Sequence, residues 1–535
     1  MVYFASFMIA MLCTMAMIPP LIKLAPALKF VDIPDERKVH LNAIPRIGGV
    51  AMVIGALAPL FFWLPISQEN ISILSGMIVI LVFGIWDDRS DLDYRIKFIG
   101  QALAALIAMH GGNIFIRTLP FIDAVLPFWL SWALTLLVFL AITNAMNLVD
   151  GLDGLAGGTT LLSLGTIALL AWHVEQKLIV VFAVAVMGAV LGFLRFNTHP
   201  ARVFMGDSGS QFLGFTLAML LLDLTQRTEV SLSLTLPFML AGLPIIDTAT
   251  VMIKRLREGR SPFSPDKNHL HHRLLKLGLH HYEVVIVIYF AQSIFVLSGY
   301  LMRFYSDFYI LAFYLVYCLI LLGSLAIVEN YSAKFQSINL GISSVENRIG
   351  FVKIKKTLYL IAFWIIVVYL TLPIVMLRKV DLDFMVVGGV ASVSSFLVIV
   401  MRRNKPIDFV ERLLFYILIS ISTYYSQAIE NQSIGFKYLE WGALTYLSIL
   451  VLYAFLFNRN KAFSLTPLDV LLLILVVALV NLPENMLNGN AISYLAVKLV
   501  ILFYSVELLF NQFLNQALIC RVLLFLEFSS LFLRF

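Results

Sequence analysis

Long solid apolar blocks, separated by short polar gaps, organise this chain from its first residues. Before residue 330, eleven blocks read as candidate spans, near 3–24, 47–66, 70–86, 98–116, 125–146, 158–172, 177–196, 210–223, 231–253, 282–302 and 307–328. Most reach or exceed the roughly 18 apolar residues that a spanning helix needs. The fourth, sixth and eighth are short or broken by glycine. A β-barrel would instead show alternation of apolar and polar positions. The pattern therefore predicts an all-α polytopic membrane protein, with about eleven transmembrane helices in this half.

Beyond residue 357 come six or seven more runs, roughly 357–377, 382–401, 409–428, 439–457, 467–482, 490–513 and 515–532. Between the halves, residues 329–356 form a polar stretch with Lys334, Arg348, Lys353, Lys355 and Lys356. The predicted division is a membrane domain at 1–330, a cytoplasmic linker at 331–356 and a C-terminal membrane domain at 357–535. The last of these shows no cluster of carboxylates and histidines and reads as accessory.

Composition agrees: 61% of the 535 residues are hydrophobic and 13% charged, about half the charged share of a soluble domain. The net charge of +6 matters less than its distribution. Gaps after odd-numbered spans hold Lys29, Arg37, Lys38, Arg46, Arg89, Arg95, Lys97, Arg195, Arg202, Lys254, Arg255, Arg257, Arg260, Lys267, Arg273 and Lys276; gaps after even-numbered spans hold only Arg117, Lys177, Arg227 and Arg303. The positive-inside rule places the odd gaps in the cytoplasm and the N-terminus outside. The first run lacks a basic leader and a cleavage site, so it reads as an uncleaved helix. Cys13, Cys318 and Cys520 lie in apolar stretches and suggest neither a disulfide framework nor a metal cluster.

Five polar segments in the odd gaps, the first of them Arg37-Lys38-Val39-His40, carry the candidate chemistry. Asp87 and Asp88 close the third span; adjacent carboxylates repel unless a cation or proton lies between them. Asp91, Asp93, Arg95 and Lys97 follow and read as a solvated interfacial loop. Asn147-Leu-Val-Asp150-Gly-Leu-Asp153-Gly154 is the strongest local signal. Its aspartates are three apart, on one face of a helical turn, and its glycines allow the close approach a phosphate needs. Asp207 lies on a Gly-Asp-Ser-Gly turn before the eighth span, whose N-terminus attracts anions. His269, His271 and His272, followed by Arg273, occupy a basic loop without cysteine, which suits a diphosphate better than zinc. Each feature has a bland reading as a helix cap, a turn or a merely positive loop. Together they predict a metal site and an anion site on one membrane face, and metal-assisted phosphoryl transfer. No P-loop is present, which argues against ATP hydrolysis.

These segments, with Asp32-x-Pro34-x-x-Arg37-Lys38-x-His40 and Pro45-x-x-Gly48-Gly49, resemble the polyprenyl-phosphate N-acetylhexosamine-1-phosphate transferases. That family is related to the phospho-muramoyl-pentapeptide translocases, and the resemblance covers about residues 1–330. It implies attack by undecaprenyl phosphate on the β-phosphate of a UDP-N-acetylhexosamine, loss of UMP, and a requirement for Mg²⁺ or Mn²⁺. The resemblance puts Asp87 and Asp88 at the lipid phosphate, one of them as a base. It puts Asp207 at the metal, with Asp150 and Asp153 in catalytic and metal roles. Lys38, Asn147, Asn197, His269, His271, His272 and Arg273 are implied to bind substrate.

The implied setting is the bacterial inner membrane with a cytoplasmic active site, at the start of O-antigen or related glycan synthesis. Membrane lipids are expected neighbours, a homodimer is an admissible assembly, and no nucleic-acid partner is expected. A secondary transporter is the rival class, but would place its charges at mid-helix. A muramoyl-pentapeptide translocase is disfavoured by the spaced His-x-His-His form, and a non-catalytic scaffold would not need so many carboxylates.

Overall fold

The computed structural model describes residues 2–32, 43–122, 124–226, 232–261, 268–335, 349–376, 409–430, 434–457, 491–512 and 517–532, with isolated positions between 389 and 399 and at 471. The chain divides into two units, Met1–Asn339 with Thr466–Leu471, and Leu340–Leu465 with Leu472–Phe535.

The first unit is built from α1 (Val2–Leu28), α2 (Gly48–Trp63), α3 (Gln68–Ser90), α4 (Tyr94–Gly112), α5 (Phe128–Val149), α6 (Leu155–His173), α7 (Lys177–Asn197), α8 (Gly206–Gln226), α9 (Leu236–Leu240), α10 (Gly242–Arg257), α11 (Leu270–Lys276), α12 (His281–Leu301) and α13 (Asp307–Phe335). Two two-residue strands, β1 (Val31–Asp32) and β2 (Ile44–Pro45), pair antiparallel after α1. Seven helices of this unit and one of the second are long and apolar enough to cross a membrane among the described residues. The all-α, multi-pass reading therefore stands.

α8 is the buried centre of the unit. It packs against α2, α3 and α5, and Ser208 to Leu222 is buried without interruption. Its polar residues face neighbouring helices rather than lipid: Gln211 bonds Gln101 of α4 and Asp87 of α3.

The single span predicted at 231–253 is instead broken at Ala241 into α9 and α10. Pro244, with no N–H and a ring that clashes four residues back, cannot continue α9 but suits the first turn of α10. The backbone groups freed at the break are satisfied from neighbouring helices, as the membrane interior requires. Ser163 Oγ and Gln292 Nε2 donate to the Leu240 carbonyl at 2.7 and 3.0 Å, and Gln292 Oε1 accepts from Leu243 N–H at 3.2 Å.

The second unit comprises α14 (Ile349–Met376), α15 (Phe409–Glu430), α16 (Ile434–Phe457), α17 (Ala491–Gln512) and α18 (Ala517–Phe532). Most of the runs expected at 382–401 and 467–482 lies outside the described residues. Leu370, Leu418, Leu444, Leu502 and Phe528 belong to one apolar core. Inside it sits a charge cluster that the sequence did not announce, because four helices supply one member each. Glu440 accepts hydroxyl bonds from Tyr369 and Ser426, both at 2.8 Å, and Lys498 Nζ lies 3.0 Å from its other oxygen. Glu440 and Lys498 are each 1% exposed. Removing one partner of such a buried pair typically costs about 3–5 kcal/mol, whereas apolar replacement of both is often neutral. Lys498→Met should therefore lower the unfolding temperature in detergent, and the double variant with Glu440→Met should recover most of it. Equal stability of the single variant and the native chain would contradict the pair as drawn.

Candidate active site

The ends of α3, α5 and α7 and the starts of α8 and α12 converge at one end of the bundle. They enclose a cleft of about 800 Å³. Its wall includes Asp88, Asn147, Asp150, Asp153, Asn197 and Asp207 from the predicted set, with His272 from the histidine segment.

Asp88 and Asp207 are joined through backbone. The N–H groups of Asp207 and Ser208 donate to Asp88 Oδ1 and Oδ2 at 2.6 and 3.0 Å. A carboxylate from α3 thus caps α8, whose first amides are otherwise orphaned and whose dipole favours negative charge. Gly206 makes the approach possible: its φ is +72°, and a Cβ there would stand 2.5 Å from Asp88 Oδ1. The Gly-Asp-Ser-Gly turn is therefore a docking point for Asp88, and it presents Asp207 to the cleft.

Asp87, 1% exposed, faces the other way. It accepts from Leu92 N–H at 2.9 Å and pairs with Lys97, whose Nζ is 2.7 Å from Asp87 and 3.6 Å from Asp207. The reading of 91–97 as a solvated loop fails for Lys97. It lies in the first turn of α4, which carries it back under the site. A Lys three residues into a helix after an acidic gap was the available signal. Asp91 does extend into solvent, its side chain 92% exposed. Arg46, also missed, bridges Asp32 and Asp91 and lines the cleft, fixing the β1–β2 hairpin beside it.

Asp150 caps the end of α5 without entering it. Burial, then the charges of Asp207, Asp88 and Asp153, push its carboxyl up to about 7 from an ordinary 3.8. The raised value sets a sign. Protonated Asp150 is favoured in the metal-free fold, so its contribution to stability is complete below about 3.8 and is lost as pH rises through about 7. A cation bound beside it reverses that penalty. Mg²⁺ should consequently raise the unfolding temperature more at pH 8 than at pH 5.5, a comparison that differential scanning fluorimetry can make. An equal Mg²⁺ shift at both pH values would disconnect Asp150 from the ion. Asp88, Asp150 and Asp207 together offer hard oxygen ligands of the kind Mg²⁺ and Mn²⁺ take.

Asn147 accepts from Ser210 Oγ at 2.9 Å, tying α5 to α8 at the cleft wall. Asn197 spans the α7 end: its Oδ1 accepts from Gly154 N–H at 2.8 Å and its Nδ2 donates to the Val203 carbonyl at 2.9 Å. Asp153 contacts His199 and His281, neither of which was singled out from sequence; the three could gather round an ion by distance alone.

The histidine segment divides by role. His269 is buried, its Nδ1 2.9 Å from Asp247 of α10, and Leu270 N–H donates to the same carboxylate at 2.7 Å. Asp247 went unnoticed because it sits in the middle of an apolar run. His271 is also buried, and a Cβ on Gly151 would stand 2.2 Å from its Nε2. Burial and then the charge of His272 lower its value to about 3. His272 alone of the three lines the cleft. Arg273 forks onto Glu329 of α13 at 2.8 and 2.7 Å. Lys38 lies outside the described residues.

Known proteins resemble this chain in sequence. The profile of a family described as glycosyl transferase family 4 matches residues 70–225. The chain is 36% identical over 301 residues to the probable undecaprenyl-phosphate N-acetylglucosaminyl 1-phosphate transferase of Bacillus subtilis (strain 168), covering 56% of this chain and 84% of that protein. It is 38% identical over 298 residues to the decaprenyl-phosphate N-acetylglucosaminephosphotransferase of Mycobacterium leprae (strain TN), covering 50% and 75%. It is 32% identical over 319 residues to the undecaprenyl-phosphate alpha-N-acetylglucosaminyl 1-phosphate transferase of Escherichia coli (strain K12), covering 56% and 85%. Close to half of this chain stays outside each alignment.

Proposed function

Because the chain belongs to glycosyl transferase family 4, the polyprenyl-phosphate N-acetylhexosamine-1-phosphate transferases, we propose that it transfers N-acetylhexosamine 1-phosphate from a UDP-sugar to undecaprenyl phosphate. A lipid phosphate oxygen attacks the β-phosphorus, the bond between that phosphorus and the bridging oxygen breaks, and UMP departs. The product would start a cell-envelope polysaccharide such as O-antigen. The observation that carries this reading is the convergence of Asp88, Asp150, Asp153 and Asp207, from three chain segments, in one polar cleft at the end of a membrane bundle. The N-acetylglucosamine in the relatives' names favours that sugar over a muramoyl-pentapeptide.

The carboxylates fit a divalent cation, because Asp150 ionises against three like charges that Arg46 only partly offsets. Asp150 and Asp207 would hold it, with Asp153 beside them. When bound, Mg²⁺ or Mn²⁺ supplies the positive charge that a diphosphate and its leaving group need. The chain's own residues do the rest. Lys97 neutralises Asp87 and reaches Asp207, which lets an anionic lipid phosphate approach a region otherwise dense in carboxylates. Asp88, by capping α8, sets where Asp207 stands. His272, Arg46 and Arg202 line the same cleft and present nitrogen donors to the phosphates.

The assay is direct. Purified protein with undecaprenyl phosphate and a panel of UDP-sugars should release UMP with UDP-N-acetylglucosamine or a close epimer and stop in EDTA. Release that needs no lipid acceptor, or none with any UDP-sugar, would refute the transferase.

The cleft is proposed to face the cytoplasm of the inner membrane. In a cysteine-free background, Ser90→Cys and Ser261→Cys should resist an impermeant thiol reagent in whole cells and react in inverted vesicles. Val125→Cys, at the other end of the bundle, should do the reverse. Labelling of Ser90→Cys from outside would invert the topology.

A further inference from the structure

Three groups meet at the α5–α6 turn in a way that the transferase chemistry does not itself require. Asp153 Oδ2 accepts from His199 Nδ1 at 2.8 Å and from Ala201 N–H at 3.1 Å. The backbone N–H of Asp153 donates to His281 Nε2 at 3.0 Å. The two imidazoles stack, centroids 4.4 Å apart and planes 21° from parallel. The next residue is held as well: Gly154 N–H donates to Asn197, and Tyr289 Oη donates to the Gly154 carbonyl at 2.7 Å.

The trio looks like a metal site by distance, but hydrogen bonds engage one potential ligand atom of each member, His199 Nδ1, His281 Nε2 and Asp153 Oδ2. An imidazole nitrogen has one lone pair, and that of His281 Nε2 is directed at an amide proton. A carboxylate only accepts, so the proton of the Asp153–His199 bond sits on Nδ1, and a protonated nitrogen is no ligand. At these three atoms the geometry performs hydrogen bonding.

We propose that His199 and His281 are positioning residues that clamp Asp153, one by its side chain and one by its backbone. The clamp holds Oδ2 and leaves Oδ1 for the ion in the cleft. The elements that supply it are distant in sequence: His199 follows α7 and His281 opens α12. Fixing a ligand's direction before substrate arrives removes an ordering cost from binding. This inference rests on the transferase reading for its ligand.

The test uses the full chain in detergent with Mn²⁺ and UDP as probes. His199→Leu and His281→Leu remove the two contacts. His199→Asn keeps a donor near the Nδ1 position, and His281→Gln keeps an acceptor near Nε2. Mn²⁺ binding in the presence of UDP, followed by electron paramagnetic resonance, should weaken at least tenfold in both leucine variants. The donor KM should rise as much, while kcat falls less than threefold and the lipid KM does not move. The asparagine and glutamine variants should stay within threefold of native.

Leucine variants that are monodisperse and bind Mn²⁺ like the native chain would overturn the clamp. Asparagine as damaging as leucine at 199 would also overturn it, by making the imidazole itself the contact. Should His281→Leu fail to fold, His199→Leu carries the test, since its ring is 42% exposed. If the native chain released no UMP, the transferase reading would fall while Mn²⁺ binding still judged the clamp.

Discussion

Asp88→Asn is expected to cut turnover by two to three orders of magnitude while the protein still inserts and runs as a monodisperse particle. Two effects coincide at this one side chain. Its oxygens receive the amides of Asp207 and Ser208, and an asparagine must turn one NH₂ toward an N–H, a donor facing a donor. Loss of a capping interaction costs about 1 kcal/mol in an ordinary helix, which the extensive burial of α8 can absorb. The larger consequence is chemical: the start of α8 shifts, Asp207 leaves its place, and a negative charge disappears from the cleft. Removing one preorganised electrostatic element from a site commonly costs 10²–10³ in kcat. Asp207→Asn should match it, since it removes the neighbouring charge directly. Asp91→Asn, four residues from Asp87 but solvent-exposed, should stay within threefold. UMP release at saturating substrates measures all three. An Asp91 variant as poor as Asp88→Asn would mean that the site lies elsewhere on the loop.

The helices of the first unit were legible because lipid imposes one rule on every residue that faces it. Solid apolar runs such as 125–146 and 177–196 reappear as α5 and α7 within a few residues. The rule weakens where a helix faces only protein. α8 carries Asp207, Ser210 and Gln211 because its neighbours supply partners for them: Lys97, Asn147, and Gln101 with Asp87. Ala241 breaks a continuous apolar run because Gln292 and Ser163, far along the chain, satisfy the freed backbone. The carboxylates of the cleft were legible as dense local motifs.

What stayed hidden were single residues whose meaning is tertiary. Asp247 sits alone in an apolar run until His269 arrives beside it. His199 and His281 are separated by a long stretch of chain and meet only through Asp153. The histidine segment was legible as a group but not in which ring reaches the cleft. His269 precedes α11 and His271 and His272 lie in its first turn, so the three rings follow one another at centroid separations of 6.0 and 4.2 Å. Two turn inward, to Asp247 and Gly151, and only His272 reaches the cleft.

Lys97→Met should prove as damaging as loss of a carboxylate, at least 10²-fold in turnover, although its sequence setting reads as a solvated loop. Its ammonium is the cation that sits between Asp87 and Asp207. Asp87 is almost fully enclosed, so the methionine variant leaves a buried carboxylate with only Leu92 N–H and Gln211 for company. Such a group escapes its desolvation cost by taking a proton or by pulling water and ions into the site. Either response changes the charge that a lipid phosphate meets. Lys97→Arg should not restore the native rate, because a planar guanidinium cannot sit as a point charge between two carboxylates at 2.7 and 3.6 Å. The decisive comparison is with Lys97→Met/Asp87→Asn, in which the orphaned charge is gone. If the injury is a stray buried anion, the double variant should recover at least tenfold over Lys97→Met. If Lys97 acts only by touching the lipid phosphate, the double variant should be no better than the single, and raised undecaprenyl phosphate should partly rescue both. A Lys97→Met enzyme within threefold of native would remove this residue from the site altogether.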